Sequence, residues 1–115
     1  MTLPRPLERE VQAAILDLLA LRRAEAVRTN SGAVKVEDRF IRFNSARGCS
    51  DLLVCYRGRF LALEVKRDAK EKPTPDQAAF MAAVRAAGGI GDVVWSIEQV
   101  ASILDRIDAE REASE

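Results

Sequence analysis

Ser50-Asp51-Leu52-Leu53-Val54-Cys55-Tyr56-Arg57-Gly58-Arg59-Phe60-Leu61-Ala62-Leu63-Glu64-Val65-Lys66 contains two apolar runs, 51–56 and 59–66, on either side of Arg57-Gly58. Runs of that length around a Gly-containing dipeptide predict a β-hairpin. Phe60-Leu61-Ala62-Leu63 is apolar at every position, as expected of a strand covered on both faces. Side chains alternate along a strand, so Glu64 and Lys66 share one face, opposite Leu63 and Val65. Pairing through the turn brings Asp51 beside them. Two carboxylates and an ammonium then meet where a buried sheet turns polar.

Upstream, Pro4 and Pro6 precede Val11, Ile15, Leu18, Leu19 and Arg22, a helical spacing that predicts an amphipathic helix over 7–24. Val27 to Asn30 is a short strand candidate with a turn at Asn30-Ser31-Gly32. Phe40, Ile41 and Phe43 suggest another strand, ending at Asn44, and Ser45 to Ser50 is a loop. Downstream, Lys70 to Pro73 is polar. Thr74-Pro75-Asp76-Gln77 opens a second helix with a capping-box spacing and proline at the first helical position. That helix is expected to reach Ala87 and stop at Gly88-Gly89. A last strand at 91–96 and a helix from Ile97 to about Arg111 complete an αβββαβ order plus a C-terminal helix. The expectation is one mixed α/β domain over 1–115, its core at about 7–104 and its acidic helix or tail at 97–115.

The chain has 115 residues, 18 Lys+Arg, 18 Asp+Glu and no histidine. Without histidine there is no Ser-His-Asp or Cys-His triad and no His-ligated metal. Cys49 and Cys55 lack CxxC spacing and read as small apolar fillers, as no imidazole can activate them. No apolar stretch approaches a membrane span and no signal peptide is visible, which predicts a soluble protein in a reducing compartment. Zero net charge hides a segregation. Residues 28–72 sum to +5 and residues 73–115 to −5, a pattern that suits a charged ligand on one side.

Paired carboxylates are costly unless a cation neutralises them, and Mg²⁺ takes oxygen ligands from one or two carboxylates. A lysine beside such a pair can position water or stabilise charge on phosphate. The set fits metal-assisted phosphodiester hydrolysis. The bland alternative is a solvated Glu64–Lys66 pair with Asp51 as a turn residue; ExK alone is a weak pattern, and the Asp at hairpin distance is what strengthens it.

The ordered set Glu8-x-x-Val11-Gln12, Asn30-Ser31-Gly32, Arg47-Gly48-Cys49-Ser50-Asp51, Gly58-Arg59-Phe60-Leu61-Ala62-Leu63-Glu64-Val65-Lys66, Gln77-x-x-Phe80 and Gly88-Gly89 resembles the VRR-NUC domain (virus-type replication-repair nuclease) of the PD-(D/E)xK nuclease superfamily. The likeness spans about residues 8–104, with Ser50 where the superfamily motif has proline. It implies a restriction-endonuclease-like mixed sheet flanked by helices. It also implies Asp51 and Glu64 as ligands of Mg²⁺ or Mn²⁺, the Val65 carbonyl completing the shell, and Lys66 as the catalytic lysine. Glu8 would point from the first helix into the site and join the metal set. It shares a face with Val11, Gln12 and Ile15, whereas Glu10 aligns with Ala13, Ala14 and Asp17; its plain reading is an acid favoured at a helix start. Gln77 has two roles open to it, an active-site glutamine and the capping box with Thr74, compatible if only its backbone serves the cap.

The resemblance further implies a metal-dependent, structure-selective endodeoxyribonuclease. Its expected substrate is branched DNA such as Holliday junctions, cut by a homodimer in the cytoplasm of a bacterial or phage-infected cell. Arg42, Arg47, Ser50, Arg67, Lys70 and Lys72 flank the proposed site and are candidate DNA contacts, although surface arginines usually do nothing specific. Alternatives are a sequence-tolerant duplex or single-strand nuclease, or a non-catalytic nucleic-acid-binding module. Gly88-Gly89-Ile90-Gly91 lacks the Gly-Lys-Ser/Thr ending of a Walker loop, and Trp95 is expected in the core.

Overall fold

The computed structural model describes residues 6–29, 33–37, 39–42 and 47–115, with 33–36 and 39–42 described by their backbone. The order is α1 (Glu8–Leu21), β1 (Glu25–Arg28), β2 (Ala33–Val36), β3 (Arg39–Arg42), β4 (Leu52–Tyr56), β5 (Arg59–Val65), α2 (Pro75–Ala86), β6 (Ile90–Val94) and α3 (Ile97–Ser114).

The hairpin forms as expected, with Leu52 opposite Leu63 and Tyr56 opposite Arg59. Arg57 and Gly58 both take positive φ, 49° and 83°, the requirement of a two-residue turn whose twist matches the strands. A Cβ at Gly58 would meet no atom within 4 Å, so the glycine serves conformation rather than space. Around this hairpin a four-stranded sheet runs β1-β4-β5-β6. β1–β4 and β4–β5 are antiparallel and β5–β6 parallel, the parallel step being made through α2. The sheet is mixed and flanked by helices, as predicted.

The strand expected around Phe40 and Ile41 exists, but it pairs with β2 in a separate two-stranded ribbon rather than joining the main sheet. β2 itself has no apolar-polar signal strong enough to mark it beforehand. The expected turn at Asn30-Ser31-Gly32 and the strand end at Phe43-Asn44 lie outside the described residues. α1 stops at Leu21, before the predicted Ala24, because Arg23 takes φ 62°. The Ala24 N–H then closes on the Leu19 carbonyl at 2.9 Å, a left-handed helix stop.

Strand alternation sorts the layers. Leu52, Val54 and Tyr56 of β4 and Leu61, Leu63 and Val65 of β5 face a core shared with Val11, Ile15 and Leu19 of α1 and Val100, Ile103, Leu104 and Ile107 of α3. The other face carries Ala62 and Glu64, both buried, on the side where α2 packs on β5 and β6. Gly91 permits that packing, since a Cβ there would lie 2.7 Å from the Met81 carbonyl oxygen. Phe60, on the same face, is 44% exposed, and Trp95, expected in the core, is 38% exposed. Trp95 follows the last pairing of β6 and so lies past the point where the sheet can cover it.

α3 is tied down by charge as well as by apolar packing. Arg22 reaches Asp105 at 2.9 Å and Asp108 at 3.0 Å, Arg57 reaches Asp108 at 3.0 Å, and Arg59 reaches Glu110 at 2.8 Å. Tyr56 donates its hydroxyl to Asp108 at 2.8 Å. The Tyr56 hydrogen bond, then the arginines, hold the Asp108 carboxyl below the usual carboxylate range. Three of the eight acids of residues 73–115, Asp105, Asp108 and Glu110, are therefore matched by Arg22 and by the arginines at the turn end of the hairpin.

Candidate active site

At the opposite end of the hairpin the sheet's polar residues gather. Asp51 precedes β4, and its Oδ2 accepts from the Val65 N–H at 2.8 Å. The contact follows from register, since Leu52 pairs with Leu63 and Asp51 comes opposite Glu64. Glu64 is 2% exposed. Its Oε1 lies 3.7 Å from Lys66 Nζ, and its Oε2 has no hydrogen-bond partner. Burial, then the Asp51 carboxylate, pushes the Glu64 carboxyl up to about 8, against a partial pull from Lys66. The alternation argument therefore holds: Asp51, Glu64 and Lys66 come together.

Lys66 Nζ also reaches Gln77 Oε1 at 3.4 Å. That same oxygen accepts from the Thr74 N–H at 2.9 Å, while the Gln77 N–H donates to Thr74 Oγ1 at 3.2 Å. The cap uses both the side chain and the backbone of Gln77, so the contact to Lys66 does not require the side chain to leave the cap. The carbonyl oxygen of its side chain has two lone pairs and serves helix and lysine together. Glu8, at the start of α1, senses the site: burial and then Asp51 raise its carboxyl, with Lys66 opposing.

The loop before Asp51 is held from two sides. Thr29, just after β1, donates its hydroxyl to the Ser50 carbonyl and its N–H to the Asp51 carbonyl at 2.9 Å. Sequence reasoning placed Thr29 in a strand and missed this role; its position at the strand end was the only signal. On the other side Gly48, at φ 71°, lies against the main chain of Asp76 and Gln77, where a Cβ would overlap the Asp76 carbonyl. Gly48→Ala combines a left-handed backbone with a clash against backbone that cannot step aside, a cost of about 2–4 kcal/mol. Gly58→Ala has the conformational part alone. In urea denaturation the Gly48 variant is expected to lose clearly more stability than the Gly58 variant; equal losses would show that the Gly48 contact does not bind loop to helix.

The flanking candidates separate. Arg47 is exposed, 3.9 Å from Asp76, and Arg67 is 3.9 Å from Glu71. Lys70 and Lys72 are exposed. Ser50 is fully buried, which corrects its expected role as a DNA contact: its side chain is out of reach of a phosphate backbone. The side chain of Arg42 lies outside the described residues. Cys49 is buried and burial raises its thiol, in keeping with a filler; Cys55 is exposed, unlike the filler expected.

Among the described residues no group of three or more Asp, Glu, Cys or His side chains is gathered as a metal site. The candidate donors are the Asp51–Glu64 pair. A buried carboxylate oxygen without a partner, beside a second carboxylate, is what a hard divalent cation would satisfy.

A mixed sheet that carries carboxylates and a lysine at the end of one hairpin defines the restriction-endonuclease-like class of nuclease folds. A solved structure described as a VRR_NUC domain matches with a TM-score of 0.62 at 27% identity, over 85% of this chain and 94% of that one. The chain has the VRR-NUC nuclease-domain fold. No protein-family model matches the sequence, and no curated protein does. Among the described residues no helix is long and apolar enough to cross a membrane.

Proposed function

We propose that the domain is a divalent-metal-dependent endodeoxyribonuclease that prefers branched DNA, such as four-way junctions, and works as a homodimer. The observation that carries the reading is the buried Glu64 carboxylate, with one oxygen on Lys66 and the other without a partner, beside Asp51. Asp51, Glu64 and the Val65 carbonyl would hold Mg²⁺ or Mn²⁺, with Glu8 facing them from α1. The ion would supply Lewis-acid polarisation of the phosphate and a water nucleophile at neutral pH. Lys66 Nζ, fixed between Glu64 and Gln77, stabilises charge that develops on the phosphate and orients the attacking water. Arg47, Arg67, Lys70 and Lys72 border the same end of the sheet and draw the DNA backbone to it. A two-fold dimer would present two such sites to two strands.

The test is incubation with a four-way junction, a flap and a linear duplex in Mg²⁺ and in Mn²⁺. Faster cleavage of the junction is expected. Equal rates on all three would leave a structure-tolerant nuclease, and no cleavage with either metal would leave a binding module.

A further inference from the structure

Beside the carboxylate site, along the outer edge of β6, runs an open groove of about 520 Å³ between α2 and α3. Its polar and aromatic lining is Arg85, Asp92, Trp95, Gln99, Ser102 and Arg106. Trp95 stands at the end nearest the site, because the Lys66 N–H donates to the Val94 carbonyl at 2.9 Å. The tryptophan therefore begins one residue past the point where β6 leaves the strand of Lys66. Its backbone is fixed by Gln99, whose Oε1 accepts the Trp95 N–H at 2.6 Å, yet its side chain remains more than a third exposed.

The arginines of the groove differ from those at the turn end of the hairpin. Arg106 has no ion pair or hydrogen bond among the described residues. Arg85 donates Nε to the Gly91 carbonyl at 2.7 Å and has no acidic partner. Asp105, Asp108 and Glu110 of α3 are engaged elsewhere, so the acid lining the groove is Asp92 against two arginines. An exposed indole flanked by two guanidinium groups without acidic partners suits a nucleobase with its phosphates, since every base has a face to stack and arginine meets phosphate oxygens in a planar fork.

We propose that this groove binds an unpaired DNA strand, with a base stacked on Trp95 and backbone phosphates at Arg106 and Arg85. The proposal rests on the nuclease reading for its choice of nucleic acid, and it assigns the single-stranded arm of a branched substrate to a place on the protein. A blunt duplex has no free base to offer and would not use it.

Trp95 is the chain's single tryptophan, so its fluorescence reports this groove alone. Titration of the wild-type protein with an eight-nucleotide oligo-dT in EDTA is expected to quench emission to saturation. A blunt-ended linear duplex of two strands with equal phosphates should leave it unchanged. Trp95→Leu should weaken oligo-dT binding about tenfold by anisotropy, Trp95→Phe about twofold or less, and Arg106→Ala should lower the salt slope by about one. No quenching at saturation, equal quenching by duplex, or undiminished binding by Trp95→Leu would each overturn the groove. Cleavage assays on the same preparation separate the two readings. Cleavage without quenching removes the groove alone, and quenching without cleavage removes the nuclease reading alone.

Discussion

Lys66→Met is expected to lower the cleavage rate about 10³-fold while DNA binding changes little. The side chain is 13% exposed and lies between Glu64 Oε1 and Gln77 Oε1, so its charge acts in a partly desolvated place. Removing one preorganised group that stabilises transition-state charge typically costs 10²–10³ in rate. Methionine keeps the length and apolar stem of lysine, which limits the packing change. Single-turnover cleavage measures the chemical step, and binding to uncut DNA in EDTA measures the rest. A variant that cleaves as wild type would remove the lysine from the mechanism, and one that only loses binding would make it a phosphate contact.

Glu64→Gln is expected to abolish cleavage and yet make the metal-free protein more stable. The folded carboxyl, raised to about 8, holds a proton that the unfolded chain releases above about 4.5. Between those values the native state binds more protons, so stability falls as pH rises from about 4.5 to 8. Glutamine has the same shape and no proton to lose. At pH 8 the variant should be the more stable protein, seen as a melting temperature several degrees higher, and its pH slope over that window should flatten. Added Mg²⁺ should raise the melting temperature of the wild type and leave that of the variant unmoved. A less stable variant would mean that the buried carboxylate contributes more through Lys66 than it loses by burial.

The part of the structure that was legible in the sequence is the part governed by alternation and by turn chemistry. Arg57-Gly58 set the hairpin, and the hairpin's pleat sorted Glu64 and Lys66 from Leu63 and Val65. The Thr74-to-Gln77 spacing set the start of α2. What escaped depended on contacts between distant segments. Nothing local to Ala33–Val36 says that it pairs with β3 instead of the main sheet. Thr29 matters because β1 ends beside the loop before β4, and Trp95 is exposed because the sheet ends there. Gln77 shows the limit of a two-way choice: one side-chain oxygen both caps the helix and reaches Lys66.

The pairing of α3 with Arg22, Arg57 and Arg59 has a consequence for how the molecule meets a polyanion. Residues 105–115 carry five acids and two arginines, so a chain cut before Asp105 would have a formal charge of +3. Its uncovered arginines would lie at the turn end of β5, roughly 20 Å from the carboxylates at strand spacing. Such a molecule would still attract DNA, but often by the wrong end. The C-terminal helix thus works as a built-in counter-ion that gives an uncharged chain a preferred direction of approach.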